Sequence, residues 1–221
     1  MISFKELQEG VYDPNILKAF FMAGGPGSGK SYVVQRTTGG LGLKVVNSDE
    51  IFEKKLKAAG LSLKMPDNEQ SMRDPIRDKS KVLTKKRKEG YLDGRLGLVI
   101  DGTGHDYEKI AYQARQLEEL GYDTFMIFVN TSLDIALQRN AERKRSVPES
   151  IVIKSWNDVQ KNIGKFQNYF RGNFVIVDNN SKDEDIMGMA IKRVRALARK
   201  KLQNGRGKAW IARELQLRKR Q

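Results

Sequence analysis

The sequence predicts an α/β fold, a doubly wound and mainly parallel five-stranded sheet with a basic helical C-terminal extension. Three observations predict it: five short apolar runs recur along the chain, helix-like stretches separate them, and a glycine-rich turn joins the first run to the first helix. Apolar runs without polar alternation suit strands buried on both faces, as in a parallel sheet. Their alternation with helical pattern is that of a sheet covered on both faces.

In chain order the predicted strands are KAFFMA (18–23), LKVVN (43–47), LGLVID (96–101), TFMIFVN (124–130) and NFVIVD (173–178). Helical periodicity is clear over Tyr107–Leu120 and over Ser132–Lys144, where Leu133, Ala136, Leu137 and Asn140 share a face. Residues 53–95 interrupt the alternation: thirteen Lys or Arg stand there against seven acids, and the segment reads as loop followed by helix. Residues 186–203 form a helix with Ile191, Val194, Leu197 and Leu202 near one stripe. After GRG (205–207), a short final helix carries Trp210.

Of the net charge of +14, +11 lies from Lys192 onward, which leaves a nearly balanced body at +3. Such a tail is either a solubilising segment or a contact to nucleic acid or another polyanion. With no cysteine, disulfides and thiolate metal sites are excluded, and a reducing compartment fits. The N-terminus MISFKELQEG does not read as a signal peptide and no apolar run approaches membrane-spanning length, so the expectation is a soluble, cytoplasmic protein with no membrane partner.

The chemistry starts at GGPGSGKS (24–31), which meets the pattern G-x-x-x-x-G-K-[ST]. Backbone N–H groups around Gly25, Gly27, Ser28 and Gly29 would cradle phosphate oxygens, and the helix that follows points its positive end at them. Lys30 would reach the β- and γ-phosphates, and Ser31 would give its hydroxyl to Mg²⁺. Asp49, in VVNSDE, is a candidate base for an attacking hydroxyl. The plainer alternative is that Ser48 or Asp49 caps the helix that follows. VIDGTG ends the third strand with Asp101 and Thr103, where the acid is placed to serve Mg²⁺ or simply to make a turn. Arg139 and Arg143 lie one helical turn apart, with Arg145 close behind, either as a lid over phosphates or as a solvated helix end.

Taken together these motifs resemble the P-loop kinases of the polynucleotide kinase and zeta-toxin group, over roughly residues 18–181. The resemblance implies a P-loop kinase fold over residues 1–191, with 53–95 as an acceptor-side insert, 139–148 as the lid and 192–221 as a basic extension. It implies ATP or GTP with Mg²⁺ as cofactors, Asp49 as the acceptor of the hydroxyl proton, and Ser31 and Asp101 at the metal. IDGT, with Asp101 and Thr103, is similar to the acid-Gly-Thr of zeta toxins on the substrate side. RNAERKRSVPESIV resembles the kinase lid, which implies that Arg139 and Arg143 serve the phosphates. FVIVDNNS is similar to the last strand and turn of the zeta group, which implies Asn179 near the nucleotide base. One position departs: the family usually has Arg three residues after the catalytic Asp, and here Phe52 stands there. Arg73, Arg77 or a lysine of the insert are the candidates to replace it.

Two function classes follow. One is an ATP-dependent phosphotransferase acting on a hydroxyl, with a nucleic-acid 5′-hydroxyl, a nucleoside or nucleotide, or a nucleotide sugar as acceptor. The other is a nucleotide-binding protein without transfer, whose basic tail docks on DNA or a larger assembly.

Overall fold

The computed structural model describes residues 11–64, 66–143, 146–181 and 183–219. The five predicted strands form a single sheet: β1 (Lys18–Ala23), β2 (Lys44–Val46), β3 (Leu98–Ile100), β4 (Asp123–Asn130) and β5 (Phe174–Asp178). Their order is β2-β3-β1-β4-β5, and every neighbouring pair is parallel. Strand β1 is buried along its whole length because it pairs on both edges and is covered on both faces. Strands β2 and β3 are three residues each, shorter than the apolar runs that announce them. At their carboxyl ends Asn47 and Asp101 turn the chain out of the sheet and into the site.

Alternate residues of β1 divide between two cores, as the two-residue period of a strand requires. Ala19, Phe21 and Ala23 face α4 (Tyr107–Glu119) and α6 (Glu149–Phe170), where Ile110, Leu117 and Phe166 fill the space. Phe20 and Met22 face α1 (Lys30–Thr38) and α7 (Glu184–Arg199), where Val33, Val194 and Leu197 meet them. The remaining elements shape the site. Helix α2 (Ser48–Ala58) buries Phe52 and Leu56, α3 (Gln70–Asp93) carries most of the basic insert, and α5 (Leu133–Glu142) follows β4. The insert is thus loop and then helix, and α3 continues through Pro75.

The C-terminal segment belongs to the packed body. Helix α7 runs unbroken across position 191/192, and its second half buries Val194, Leu197 and Ala198 under the sheet. Helix α8 (Gly205–Lys219) begins at the GRG that the sequence offered as a break. The Asn204 side chain accepts from Arg206 N and Gly207 N at 3.0 and 3.3 Å, satisfying amides that a helix start leaves orphaned. Gly207 allows the close approach: a Cβ there would overlap the Gly121 carbonyl. Trp210, Ile211 and Leu215 then pack on the first core. Among the described residues no helix is long and apolar enough to cross a membrane.

Candidate functional site

Strands β1 and β3 are neighbours, and the helices that follow them, α1 and α4, cover opposite faces of the sheet. A crevice therefore opens at their carboxyl ends, where open α/β sheets bind ligands. The loop 24–29 lies in it, held from three sides. Gly24 N donates to Thr103 O at 2.8 Å, and Asn179 Nδ2 donates to Ser28 O at 2.7 Å. Gly27, at φ +78°, sits so close to α5 that a Cβ would overlap the Ala136 carbonyl. Only glycine meets both the backbone angle and the approach.

Lys30 is partly buried and curls onto its own loop, donating to Gly24 O at 2.5 Å and Gly25 O at 3.4 Å. Burial holds its pKa below the usual lysine value, Asp101 and Asp49 pull it upward, and Arg143 pushes it down. Burial conversely raises the Asp101 pKa above the usual carboxylate value; Asp49 and Glu50 add to the rise, while Lys30 and the Gly102 amide oppose it. Lys30, Asp49, Asp101 and Arg143 therefore share one electrostatic neighbourhood, although they come from four separate segments.

Asp49 is the second residue of α2, and neither it nor Ser48 is the cap. Asn47 is: its Oδ1 accepts from Asp49 N at 2.7 Å, while its Nδ2 donates to Asp101 Oδ2 at 2.8 Å. An extended Asn just before the helix fits this position better than Ser48, which already has helical backbone. One side chain thus fixes the start of α2 and the end of β3 together. Arg77 of α3 reaches Asp49 Oδ1 at 3.3 Å, with its guanidinium 4.7 Å from the Phe52 ring centroid. The chain therefore has a guanidinium beside Asp49, delivered from the insert and stacked on the residue that replaces the family Arg. Arg73 is turned elsewhere and donates to Pro66 O at 3.0 Å.

On α5, Arg139 donates to Asn179 O at 2.6 Å and Asn180 O at 3.4 Å, which fastens it to the turn after β5. Arg143, at the end of α5, is exposed. Arg145 lies outside the described residues. Buried Asn140 closes the segment between them, with Nδ2 to Val147 O at 2.8 Å and Oδ1 from Val147 N at 3.1 Å. Thr103 gives its carbonyl to the loop, and its hydroxyl is hydrogen-bonded to His105 Nδ1. Buried Asn162 of α6 donates to Gly104 O at 3.1 Å and His105 O at 2.9 Å, fixing the turn that carries Thr103. Asn179 is itself buried, its amide spent on the phosphate loop.

Asn47, Asn140 and Asn162 are the positioning residues that motif reading missed. Two of them carried a signal, an amide on an otherwise apolar helical stripe: Asn140 beside Ala136, and Asn162 between Val159 and Phe166.

The residues fit a nucleotide phosphate and Mg²⁺. The buried Ser28 Oγ and Asp101 Oδ1 have no hydrogen-bond partner, and Ser31 opens α1 exposed. Mg²⁺ commonly takes one or two protein oxygens and completes its shell from phosphates and water, which matches this sparse set.

The profile of the AAA domain family matches residues 20–165, well over half of the chain. No curated protein matches the sequence. Solved structures share the fold at low identity. A gluconokinase from Sinorhizobium meliloti aligns over 83% of this chain and 95% of its own, at 16% identity and a TM-score of 0.51. The PezAT toxin–antitoxin system of Streptococcus pneumoniae aligns over 83% of this chain and 88% of the other, at 13% identity and a TM-score of 0.53. The AvrRxo1-ORF1:ORF2 complex solved with ATP aligns over 73% of this chain, at 14% identity and a TM-score of 0.58. The match spans about half, 54%, of that larger chain. These likenesses are of fold, and with the family match they bear out the resemblance to P-loop kinases drawn from the motifs.

Proposed function

The chain belongs to the AAA domain family, and from that premise we propose that it is a phosphotransferase moving the γ-phosphate of ATP to a hydroxyl acceptor. The observation that carries this reading is the single neighbourhood formed by Lys30, Asp101, Asp49 and Arg143. In this reading Lys30 serves the donor and Asp49 the acceptor, and the two are electrostatically coupled at the carboxyl edge of the sheet. The kinase neighbour and the neighbour solved with ATP favour the same reaction class and donor.

The loop amides and Lys30 hold the β- and γ-phosphates. Lys30 moves from the Gly24 and Gly25 carbonyls to the phosphate, exchanging neutral acceptors for charged ones. Ser31 and Asp101 would hold Mg²⁺, which would neutralise charge on the phosphate oxygens. Asp49, steadied by Arg77, accepts the proton of the acceptor hydroxyl as its oxygen attacks the γ-phosphorus and the bond to the β-phosphate breaks, releasing ADP. Arg143 stabilises the charge spread over the transferring phosphoryl oxygens, and Arg139 orders the turn behind the loop.

The test is label transfer from γ-labelled ATP across a panel of hydroxyl compounds, read by product mass. Transfer disappears in Lys30→Ala and Asp49→Ala proteins that retain the wild-type circular dichroism. Full transfer by Asp49→Ala would overturn the assignment of the base.

A further inference from the structure

Beside the candidate site, on its insert side, lies a cleft of about 650 Å³. It meets the site at Ser48, Asp101 and Thr103, and no residue of the phosphate loop lines it. Its link to the acceptor side is Ser48, the residue before Asp49 in α2.

Two features define its chemistry. The floor is apolar, built from Val46, Leu92, Ile100 and Ile110. The rim is cationic: Lys81, Lys85 and Lys88 sit on one face of α3 at four- and three-residue spacing, and Lys109 comes from α4.

The acids on the rim are already engaged. Asp106 caps α4 by accepting from Lys109 N at 3.0 Å, and Glu89 lies 4.0 Å from Lys85. Lys81 is matched by Asp78 at 3.1 Å. Among the described residues, the ammonium groups of Lys88 and Lys109 have neither an ion-pair nor a hydrogen-bond partner. Lys88 is half-buried, and burial alone sets its pKa below the usual lysine value, with no carboxylate raising it. A half-buried ammonium without a counter-ion is unfavourable, and an arriving anion relieves it. Two ammonium groups from different helices suit a phosphate, which spreads its charge over several oxygens. The apolar floor suits an uncharged ring system joined to it.

We propose that this cleft is the acceptor site, and that the acceptor carries a phosphate ester of its own, bound by Lys88 and Lys109 while its hydroxyl points to Asp49. The inference rests on the phosphotransfer reading for the hydroxyl's direction, but the phosphate site stands on the cleft itself.

Binding is measured by calorimetry with the donor site saturated by a non-hydrolysable ATP analogue. The probes are cytidine, its 3′- and 5′-monophosphates, and a 5′-hydroxyl hexanucleotide. The proteins are wild type, Lys88→Ala, Lys109→Ala, and Lys208→Ala on exposed α8 as control. A phosphate-bearing probe binds wild type about ten-fold or more tighter than cytidine. That gap shrinks to about two-fold in either cleft variant and persists in Lys208→Ala. A full gap with a monophosphate identifies a small acceptor, and a gap seen only with the hexanucleotide identifies nucleic acid. No gap with either, or a gap that both cleft variants keep, overturns the proposal. If these lysines bind phosphate but no label passes from ATP, the phosphotransfer reading falls and the cleft stands as a phosphate site alone. Transfer to an uncharged acceptor at wild-type rate in both cleft variants removes the cleft assignment alone.

Discussion

Replacing Asn47 separates two jobs that one side chain performs. Its Oδ1 caps α2 through Asp49 N, and its Nδ2 donates to Asp101 Oδ2. Losing a cap of this type costs about 1 kcal/mol. Losing a hydrogen bond to a carboxylate that is mostly removed from water costs about 2 kcal/mol. Asn47→Ala loses both, about 3 kcal/mol, which for a domain of this size lowers Tm by about 6–12 °C. Asn47→Ser keeps a capping oxygen and loses only the Asp101 bond, about 2 kcal/mol or 4–8 °C. Asn47→Asp also keeps the cap but sets a second carboxylate against Asp101. At neutral pH it is less stable than Asn47→Ser, and the difference closes as acid neutralises the pair. Urea and thermal unfolding followed by circular dichroism give the order wild type, Ser, Ala. If the Ser and Ala variants unfold together, the cap contributes nothing. If Asp and Ser unfold together at neutral pH, Asn47 does not face Asp101 as described.

Three further outcomes follow from the same geometry. Burial raises the Asp101 pKa in the folded protein above 3.8, so folding favours the protonated form, and stability declines as pH rises from there through the folded value. Asp101→Asn flattens that decline in thermal melts of the nucleotide-free protein, and parallel curves for the two proteins would refute it. Arg77 and Asp49 are each about 40% exposed, so their ion pair and the Phe52 stack together contribute only about 1 kcal/mol. Arg77→Ala therefore melts within about 4 °C of wild type, yet its kcat for label transfer falls about ten-fold with the KM for ATP unchanged; unchanged kcat sinks the positioning role. Gly27→Ala forces a Cβ onto the Ala136 carbonyl at a positive φ, and calorimetry should find ATP binding lost while the far-ultraviolet spectrum stays close to wild type.

The sheet was legible because its information is local. Each strand is a short apolar run, and the phosphate loop has fixed spacing because several backbone amides must converge on one anion. The Asn47 cap was hidden because Asn, Ser and Asp are equivalent capping types standing side by side at 47–49. Arg77 was legible only as one candidate among several, since it meets Asp49 across 28 positions and nothing local marks which insert cation makes that contact. The C-terminal extension from residue 192 was set apart by its charge. Trp210, Ile211 and Leu215 form a stripe that packs on the core, while the cations occupy the remaining surface.

Buried asparagines explain how an open sheet edge becomes a fixed site. Loops at that edge bury carbonyls that no strand or helix satisfies. Asn162 takes the carbonyls of 104 and 105, Asn179 takes that of Ser28, and Asn140 takes both backbone groups of Val147. Each amide therefore fixes one wall of the crevice before any ligand arrives, and preorganised walls are what electrostatic stabilisation requires. The same ties limit what can move. Arg139 is bound to the turn that Asn179 anchors, so the proposed closure over the phosphates falls to Arg143 at the end of α5, with Asn140 as its hinge post. Asn140→Ala should then weaken ATP binding about five-fold through loss of lid order, whereas Asn162→Ala should loosen the Thr103 turn and act on transfer. Calorimetry with ATP separates the two, and equal ATP affinities in both variants would mean that the lid does not hinge there.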